Sequence, residues 1–203
     1  MNLHDMNLRH IRRKANILQV VSLALVAGCF NPALADIDEA GPLENFARVA
    51  PCLYRGAQPS YTAFKDLKFK GIKTIISLRL DDEDVDEEKN ICAKYDMRFY
   101  HIPMGYKTPD LGSVLSFLGI VTNPQLQPVY VHCRFGSDRT GTMVGLYRVI
   151  VENWSYPDAY QEMRQYHFKP FLLSLKHAVR DYANTKPTDK KQILANSRLT
   201  EQL

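Results

Sequence analysis

One segment of the sequence combines a nucleophile with a phosphate-binding side chain, HCRFGSDRTG at residues 132–141. The thiolate of a cysteine is a nucleophile, and the planar guanidinium of an arginine can bind two oxygens of a phosphate. A loop closed between Cys133 and Arg139 can turn several backbone N–H groups inward, which makes a concavity for an oxyanion. The segment therefore predicts that Cys133 attacks a phosphate held by the loop and forms a phosphocysteine intermediate.

The residues next to Cys133 support the same chemistry. Gly136 permits the backbone angles of a tight loop, and the helix predicted from Thr140 adds the positive end of its dipole. This field favours a thiolate. The Thr140 hydroxyl can donate toward the sulfur, and the alternative is a plain helix N-cap, a role that is compatible with the first. His132 is expected to hold the loop by hydrogen bonds behind the cysteine. The residues predicted to surround the phosphate are Arg134, Phe135, Gly136, Ser137, Asp138 and Arg139.

Strand and helix patterns alternate on both sides of this segment. Apolar and β-branched runs predict strands at 49–54, 72–78, 98–102 and 128–132, and helices are predicted between them. Three further helices are predicted, at about 140–152, 157–167 and 170–183. This order predicts an α/β protein, a three-layer α/β/α fold with a mostly parallel central sheet. Ligands of such sheets bind at the carboxyl ends of strands, and the Cys133 loop follows a strand directly.

Polar residues outside the loop have simpler interpretations. The acidic run at 81–88 is interpreted as the solvated start of a helix, with a metal site as the alternative. Ser60 is predicted to cap the helix that Gly71 ends. The histidines show no ligand spacing, so neither a metal nor a cofactor is expected. A disulfide between Cys52 and Cys92 can form in an oxidising compartment, but three cysteines outside the N-terminal segment give no disulfide framework.

The segment at 132–141 resembles the signature of protein tyrosine phosphatases, His-Cys-x-x-Gly-x-x-Arg-Thr/Ser-Gly. The strand and helix order is similar to that of the dual-specificity branch. Two upstream segments, LYRGAQP at 53–59 and GIKTII at 71–76, resemble the atypical plant-and-fungal-type enzymes and their bacterial relatives. The resemblance spans approximately residues 48–168. It implies the phosphatase fold and metal-independent hydrolysis of phosphate monoesters, with Cys133 as nucleophile and Arg139 as phosphate ligand.

The sequence departs from the family pattern at the general acid. In the family, an aspartate on a mobile loop upstream of the cysteine protonates the leaving oxygen, but residues 98–106 contain no aspartate. Asp110 is the first candidate, although it is equally suited to cap a helix. Asp138, inside the loop, is the second candidate. Arg55 and Gln58 either line the pocket or form a structural turn.

Three functions remain open from the sequence. The first is a phosphatase acting on phosphotyrosine, with phosphoserine and phosphothreonine as further substrates. The second is a phosphatase for inositol phosphates or phosphoinositides, which Arg134 and Lys107 favour and the neutral Phe135 and Ser137 disfavour. The third is a phosphate-binding module without turnover, which the displaced acid favours. The partner is therefore a phosphorylated protein or a small phosphorylated molecule. Nucleic acid is not indicated, because the net charge of +4 comes largely from the N-terminus.

Residues 1–35 have the pattern of a secretory signal. A basic stretch at 9–14 precedes an apolar stretch at 17–28 and the small-x-small motif ALA at 33–35. An alternative is the lipobox VAGC at 26–29, in which Cys29 would be lipidated and anchor the chain to a membrane. Both signals predict export. Cleavage after residue 35 would release the chain into the periplasm or the medium, whereas the lipobox would anchor it to a membrane. A linker at 36–47, the phosphatase domain at 48–183 and a loosely ordered polar tail at 184–203 complete the predicted organisation.

Overall fold

The structure, a computed structural model, describes residues 43–80 and 85–200. The predicted signal segment, Cys29, most of the predicted linker and residues 81–84 of the acidic run lie outside the described residues. None of the helices in the described part of the chain is long and apolar enough to cross a membrane.

Strands and helices alternate through most of the described chain, as the sequence predicts. Their bounds are β1 Ala47–Ala50, β2 Leu53–Ala57, α1 Tyr61–Phe69, β3 Thr74–Ser77, α2 Val85–Lys94, β4 Arg98–His101, α3 Leu111–Thr122, β5 Val129–Cys133, α4 Asp138–Ile150, α5 Tyr156–Gln165, α6 Leu173–Ala183 and α7 Pro187–Thr200. Ser60 caps α1 by accepting a hydrogen bond from the N–H of Ala63, and Gly71 follows the helix with a positive φ. These local predictions are confirmed.

The five strands form one sheet in the order β1-β2-β5-β3-β4. Strands β2, β5, β3 and β4 are mutually parallel, and β1 pairs with β2 antiparallel. Strand β5 is central and fully buried, and its side chains alternate between two cores: Val129 and Val131 pack toward α3–α6, whereas Tyr130 packs toward α1 and α2. The sheet therefore lies between two helical layers, and the predicted α/β fold with a mostly parallel sheet is confirmed.

The structure differs from the predicted elements at both ends of the domain. The strand predicted at 49–54 is two strands, β1 and β2, joined by a turn at Pro51 and Cys52. The tail predicted to be loosely ordered contains α7, which packs against α3. Ile193 and Leu194 of α7 lie against the main core, and this apolar contact orders a segment that is polar along most of its length.

Cys92 is a free thiol on the buried face of α2 and is fully buried. The disulfide between Cys52 and Cys92 that the sequence leaves possible is therefore not formed. Burial, together with the charge of Glu88, raises the pKa of Cys92 to about 12. A thiol this far from ionisation is a packing group and is unreactive toward electrophiles at neutral pH.

Candidate active site

Cys133 is the last residue of β5, at the centre of the sheet. On one side, Cys133 lies opposite Ala57, the last residue of β2. On the other side, the preceding residue, His132, lies opposite Ser77, the last residue of β3. The carboxyl ends of three parallel strands therefore meet at the cysteine, which is 3% exposed. This is the edge of the sheet at which ligands of parallel folds bind.

The loop after Cys133 has its carbonyl oxygens turned away from its own centre. Three consecutive carbonyls accept hydrogen bonds from outside the loop: Arg134 from the N–H of Gln58 at 3.3 Å, Phe135 from Asn45 Nδ2 at 2.7 Å and Gly136 from Arg55 Nη2 at 2.7 Å. Because the peptide unit is planar and trans, an outward carbonyl turns the next N–H in the opposite direction. The loop thus presents successive N–H groups to its interior, which is an anion-binding arrangement.

Gly136 allows the loop to pack directly on the end of β2. Its φ is +67°, and a Cβ at this position would lie 2.4 Å from the carbonyl carbon and 2.5 Å from the carbonyl oxygen of Gly56. Both the backbone angle and the close approach exclude a larger side chain. The predicted need for glycine at 136 therefore has two independent structural causes.

Arg139 lies in the first turn of α4 and is almost completely buried. Its Nη1 donates to the carbonyl oxygens of Leu78 at 3.2 Å and Met104 at 3.3 Å, just beyond the ends of β3 and β4. The ring centroid of Tyr106 lies 5.8 Å from the guanidinium carbon. These contacts hold the guanidinium at the same sheet edge as Cys133, and its role in phosphate binding stays a prediction.

His132 lies behind the cysteine, where the sequence predicts it. Its Nε2 is 2.6 Å from Oε1 of Glu88 on α2, and its Nδ1 faces the carbonyl oxygen of Cys133 at 3.4 Å. The ring also stacks on Tyr130. Burial raises the pKa of Glu88, but His132, Gln58 and Ser77 together outweigh it, so the pKa lies below the ordinary value. Glu88 is therefore an ionised, buried anchor for the histidine.

A family model described as "DSP-PTPase phosphatase fused to NAD+ Kinase" matches residues 38–181, which is more than half of the chain. The chain belongs to this family of dual-specificity phosphatases. The match includes the whole of the Cys133 loop and the strands that meet at it. The fold, the loop and the family model therefore agree on the same catalytic domain.

Similar proteins come from bacteria and eukaryotes. The dual-specificity protein phosphatase TpbA of Pseudomonas aeruginosa is 30% identical over 125 residues, which are 61% of this chain and 55% of TpbA. A probable tyrosine-protein phosphatase of Dictyostelium discoideum, DG1060, is 32% identical over 130 residues, 62% of this chain and 77% of that protein. The inositol diphosphatase SIW14 of Saccharomyces cerevisiae is 32% identical, over 63% of this chain and 47% of SIW14. This chain thus spans about half the length of TpbA and of SIW14.

Solved structures give the same relationship. The crystal structure of TpbA superposes on this chain with a TM-score of 0.62 at 25% identity. The superposed region covers 75% of this chain and 91% of the TpbA chain. The core catalytic domain of SIW14, in complex with citrate, gives a TM-score of 0.66 at 26% identity and covers 77% of this chain and 94% of its own.

Both predicted general acids of this phosphatase domain make hydrogen bonds to other parts of the fold. Asp110 is exposed and caps α3, with Oδ1 accepting the N–H of Ser113 at 2.8 Å and Oδ2 accepting its hydroxyl at 2.9 Å. These hydrogen bonds hold the pKa of Asp110 below its ordinary value, which disfavours the protonated form that an acid needs. Asp138 accepts the N–H of Lys169 at 2.9 Å and faces its ammonium at 3.7 Å. Both carboxylates therefore have structural partners.

The other predicted loop residues divide into two groups. Arg134 and Phe135 are exposed at the mouth, with the guanidinium 5.5 Å from the ring centroid. Ser137 is turned toward Asn45, whose Nδ2 lies 3.3 Å from its hydroxyl oxygen. Thr140 lies inside α4 rather than at its N-cap, which is Ser137, so its predicted capping role is wrong. In the described part of the chain its buried hydroxyl has no hydrogen-bond partner, including the Cys133 sulfur toward which it was expected to donate.

Local sequence patterns do not reveal the roles of three residues that contact the loop or the histidine before it. Nothing in the local sequence pattern of Asn45 connects it to a loop ninety residues away. Glu88 was read as part of a solvated acidic run, which holds for the exposed Asp86 and Glu87, but Glu88 is 2% exposed. Its spacing from Cys92 on one face of α2 was the available signal. Arg55 was expected to line the pocket or form a turn and is instead buried behind the loop.

Proposed function

We propose that this protein is a cysteine-dependent phosphatase that hydrolyses aryl phosphate monoesters, with phosphotyrosine as the substrate class. The observation that carries the proposal is the loop itself, whose three carbonyls are bound from outside so that its N–H groups face the space above Cys133. Preorganised donors of this kind stabilise the charge that develops on phosphate oxygens in the transition state.

The reaction has two steps. The Cys133 sulfur attacks phosphorus, the sulfur–phosphorus bond forms as the phosphorus–oxygen bond breaks, and the leaving oxygen keeps the bonding electron pair. Water then attacks the phosphocysteine, releasing inorganic phosphate and restoring the thiolate. Arg139 and the loop N–H groups hold the phosphate oxygens in both steps.

The leaving group narrows the substrate class. Among the described residues, neither Asp110 nor Asp138 is free to protonate a leaving oxygen, because each carboxylate is already hydrogen-bonded to a backbone N–H. A phenolate departs far more readily without a proton than a serine alkoxide does. The arrangement therefore favours phosphotyrosine over phosphoserine and phosphothreonine.

Exposed aromatic side chains border the loop. Tyr106 lies beside Arg139, Phe135 is in the loop, and Phe171 follows Lys169, which contacts the loop through Asp138. All three rings are more than half exposed. Flat apolar surfaces at the mouth of a phosphate site suit the ring of a tyrosine phosphate, which gains contact area when it stacks or packs edge-on. The names of TpbA and DG1060, a dual-specificity and a probable tyrosine phosphatase, agree with this substrate.

Inositol diphosphates are the second candidate. Their phosphoanhydride also has a leaving group that departs without a proton, so the positions of the aspartates are compatible with this substrate too. Arg134 and Lys169 add positive charge near the loop, and SIW14 is named an inositol diphosphatase. Of these two candidate substrates, the exposed rings favour phosphotyrosine.

The test measures turnover by the reduced full chain in the presence of a chelator. We expect activity on p-nitrophenyl phosphate that is lost in Cys133→Ser, and a kcat/KM that falls steeply across aryl phosphates as the leaving-group pKa rises. A phosphotyrosyl peptide and a diphosphoinositol phosphate are then compared directly. Faster hydrolysis of the diphosphate would select the second candidate, and a folded parent that binds phosphate without turnover would leave only a binding module.

The contribution of the exposed rings to substrate binding is tested with Phe135→Ala. We expect KM for the phosphotyrosyl peptide to rise about two- to tenfold, in line with the ~0.5–1.5 kcal/mol of an aromatic pair. Acetyl phosphate has a good leaving group and no ring, so its kinetics should change little. An equal effect on both substrates would show that Phe135 supports the loop rather than the ring.

We also propose that the protein is exported. The basic, apolar and small-residue order of residues 1–35 supports this, with the lipobox at Cys29 as the alternative signal. The N-terminus of the mature protein, read by mass spectrometry after expression in a bacterium, distinguishes Asp36 from a lipidated Cys29. An intact N-terminus in the cytosolic fraction would contradict export.

A further inference from the structure

Arg55 is the largest of the fully buried side chains and lies behind the phosphate loop. Its Nη2 donates to the carbonyl oxygen of Gly136 at 2.7 Å, and its guanidinium carbon lies 4.0 Å from the ring centroid of Tyr166. Nε and Nη1 have no hydrogen-bond partner among the described residues. Burying a guanidinium with donors unsatisfied is costly, so such a group at an active site calls for a functional explanation.

The charge of Arg55 faces few groups that can compensate it. Burial lowers the pKa of Arg55 to about 10, while Glu162, Tyr166, Cys133 and Tyr130 act in the opposite direction. The side chain is therefore still charged at neutral pH. Tyr130 is neutral there, because burial raises the pKa of its phenol well above the ordinary value. Tyr166 presents its ring face to the guanidinium.

Glu162 is already committed to another arginine. Its Oε1 accepts from Nη2 of Arg148 at 2.6 Å, and its Oε2 accepts from Nε of Arg148 at 3.0 Å. A bidentate pair of this geometry neutralises the carboxylate locally. Apart from the two tyrosines, Cys133 is then the remaining acidic group among the described residues that acts on the charge of Arg55.

The position of the guanidinium fits an action on the loop. A Cβ placed on Gly141, in the first turn of α4, would lie 3.7 Å from Nη2 of Arg55. The guanidinium therefore sits between that turn and the Gly136 carbonyl, below the N–H groups that face the phosphate. In a low-dielectric interior a charge acts over several ångströms with much less screening than at the surface.

We propose that Arg55 is a positioning residue for the chemistry of Cys133, in which its buried charge stabilises the thiolate and its hydrogen bond to Gly136 holds the loop open to phosphate. The inference rests on the proposed function, since it assigns Arg55 to the same nucleophile. It adds to the site a second cation besides Arg139, placed behind the loop on the side of β2.

The test follows the pH dependence of Cys133 alkylation by iodoacetamide in the reduced full chain, with the modified cysteine identified by mass spectrometry. Three variants separate the two roles. Arg55→Lys keeps the charge, Arg55→Gln removes it but can still donate to Gly136, and Arg55→Met removes both. Arg134→Met is the matched control, because it removes a cation adjacent to Cys133 in sequence that is exposed and screened.

We expect the alkylation midpoint to rise by about one pH unit in Arg55→Gln and Arg55→Met, a tenfold loss of thiolate below the midpoint. The midpoint should stay near that of the parent in Arg55→Lys and Arg134→Met. In Arg55→Lys, kcat should nevertheless fall, because the hydrogen bond that holds the loop is altered. Circular dichroism and thermal unfolding establish whether each variant is folded. If Arg55→Met is unfolded, Arg55→Gln is the neutral variant that tests the proposal.

An unchanged midpoint in a folded neutral variant would overturn the proposal, and so would an equal rise in Arg55→Lys. The alkylation readout does not require turnover. A parent with no phosphatase activity but with the expected pattern of midpoints would therefore overturn the proposed function and leave the role of Arg55 intact.

Discussion

Glu88 and His132 form a buried pair whose geometry fixes the residue before the nucleophile. The carboxylate and the imidazole are both within 2% of complete burial and 2.6 Å apart. Removing one partner of such a pair leaves the other without compensation, which typically costs about 3–5 kcal/mol. We expect Glu88→Gln to lower the free energy of unfolding by about 3 kcal/mol in urea titrations at pH 7. Glu87→Gln, on the exposed face of α2, is the matched control and should be near neutral.

The same carboxylate gives stability a defined pH dependence. Since the pKa of Glu88 is lower in the folded state, its contribution is complete above the unfolded value of about 4.3. The contribution is lost as the pH falls from there through the folded pKa. The difference in unfolding free energy between parent and Glu88→Gln should therefore shrink below about pH 4. A difference that stays constant from pH 7 to pH 3 would show that Glu88 is not ionised in the fold.

From the sequence, Asp110 is either a general acid or a helix cap, and the structure shows it as the cap of α3. Asparagine caps helices as well as aspartate does, so Asp110→Asn should leave α3 intact and change stability by only a few tenths of a kcal/mol. We expect kcat toward both p-nitrophenyl phosphate and a phosphotyrosyl peptide to remain within about twofold of the parent, since the carboxylate is occupied by Ser113. A tenfold loss on the peptide alone would restore Asp110 as the general acid.

At the scale of elements, the phosphate loop depends on its contact with the end of β2. A Cβ at Gly136 would overlap the Gly56 backbone, so Gly136→Ala must displace the loop. We expect at least a hundredfold loss of kcat/KM for p-nitrophenyl phosphate, similar to the loss of an oxyanion donor. Gly105→Ala is the control, because a Cβ there meets no atom within 4 Å. Retained activity in Gly136→Ala would mean that the loop does not use this packing.

Helix α7 extends the fold at the scale of the whole molecule. It packs on α3 and partly buries Leu194 against the main core. We expect Leu194→Ala to lower the melting temperature, with a loss of about 1–2 kcal/mol for a partly buried leucine, while kcat/KM stays unchanged. Leu199→Ala, on the same helix but exposed, should leave both the melting temperature and kcat/KM unchanged. An equal loss in both variants would show that α7 does not dock.

The sequence by itself determined the parts of this protein that depend on neighbouring residues. The Cys133 loop, the cap at Ser60 and the alternation of strands and helices are local, because hydrogen bonds and side-chain periodicity within a few residues decide them. The sequence could not decide between the two readings of Asp110, because capping and catalysis require the same side chain.

Only the tertiary structure decided what surrounds the nucleophile. Asn45 and Arg55 reach the loop from 90 and 81 residues away, so no local pattern connects them to it. Glu88 becomes a buried anchor only because α2 packs beside the strand that contains His132, and Cys92 remains a thiol because the same packing encloses it. Burial and long-range contact depend on how the elements pack, and a buried charge is favourable only where the fold supplies its partner.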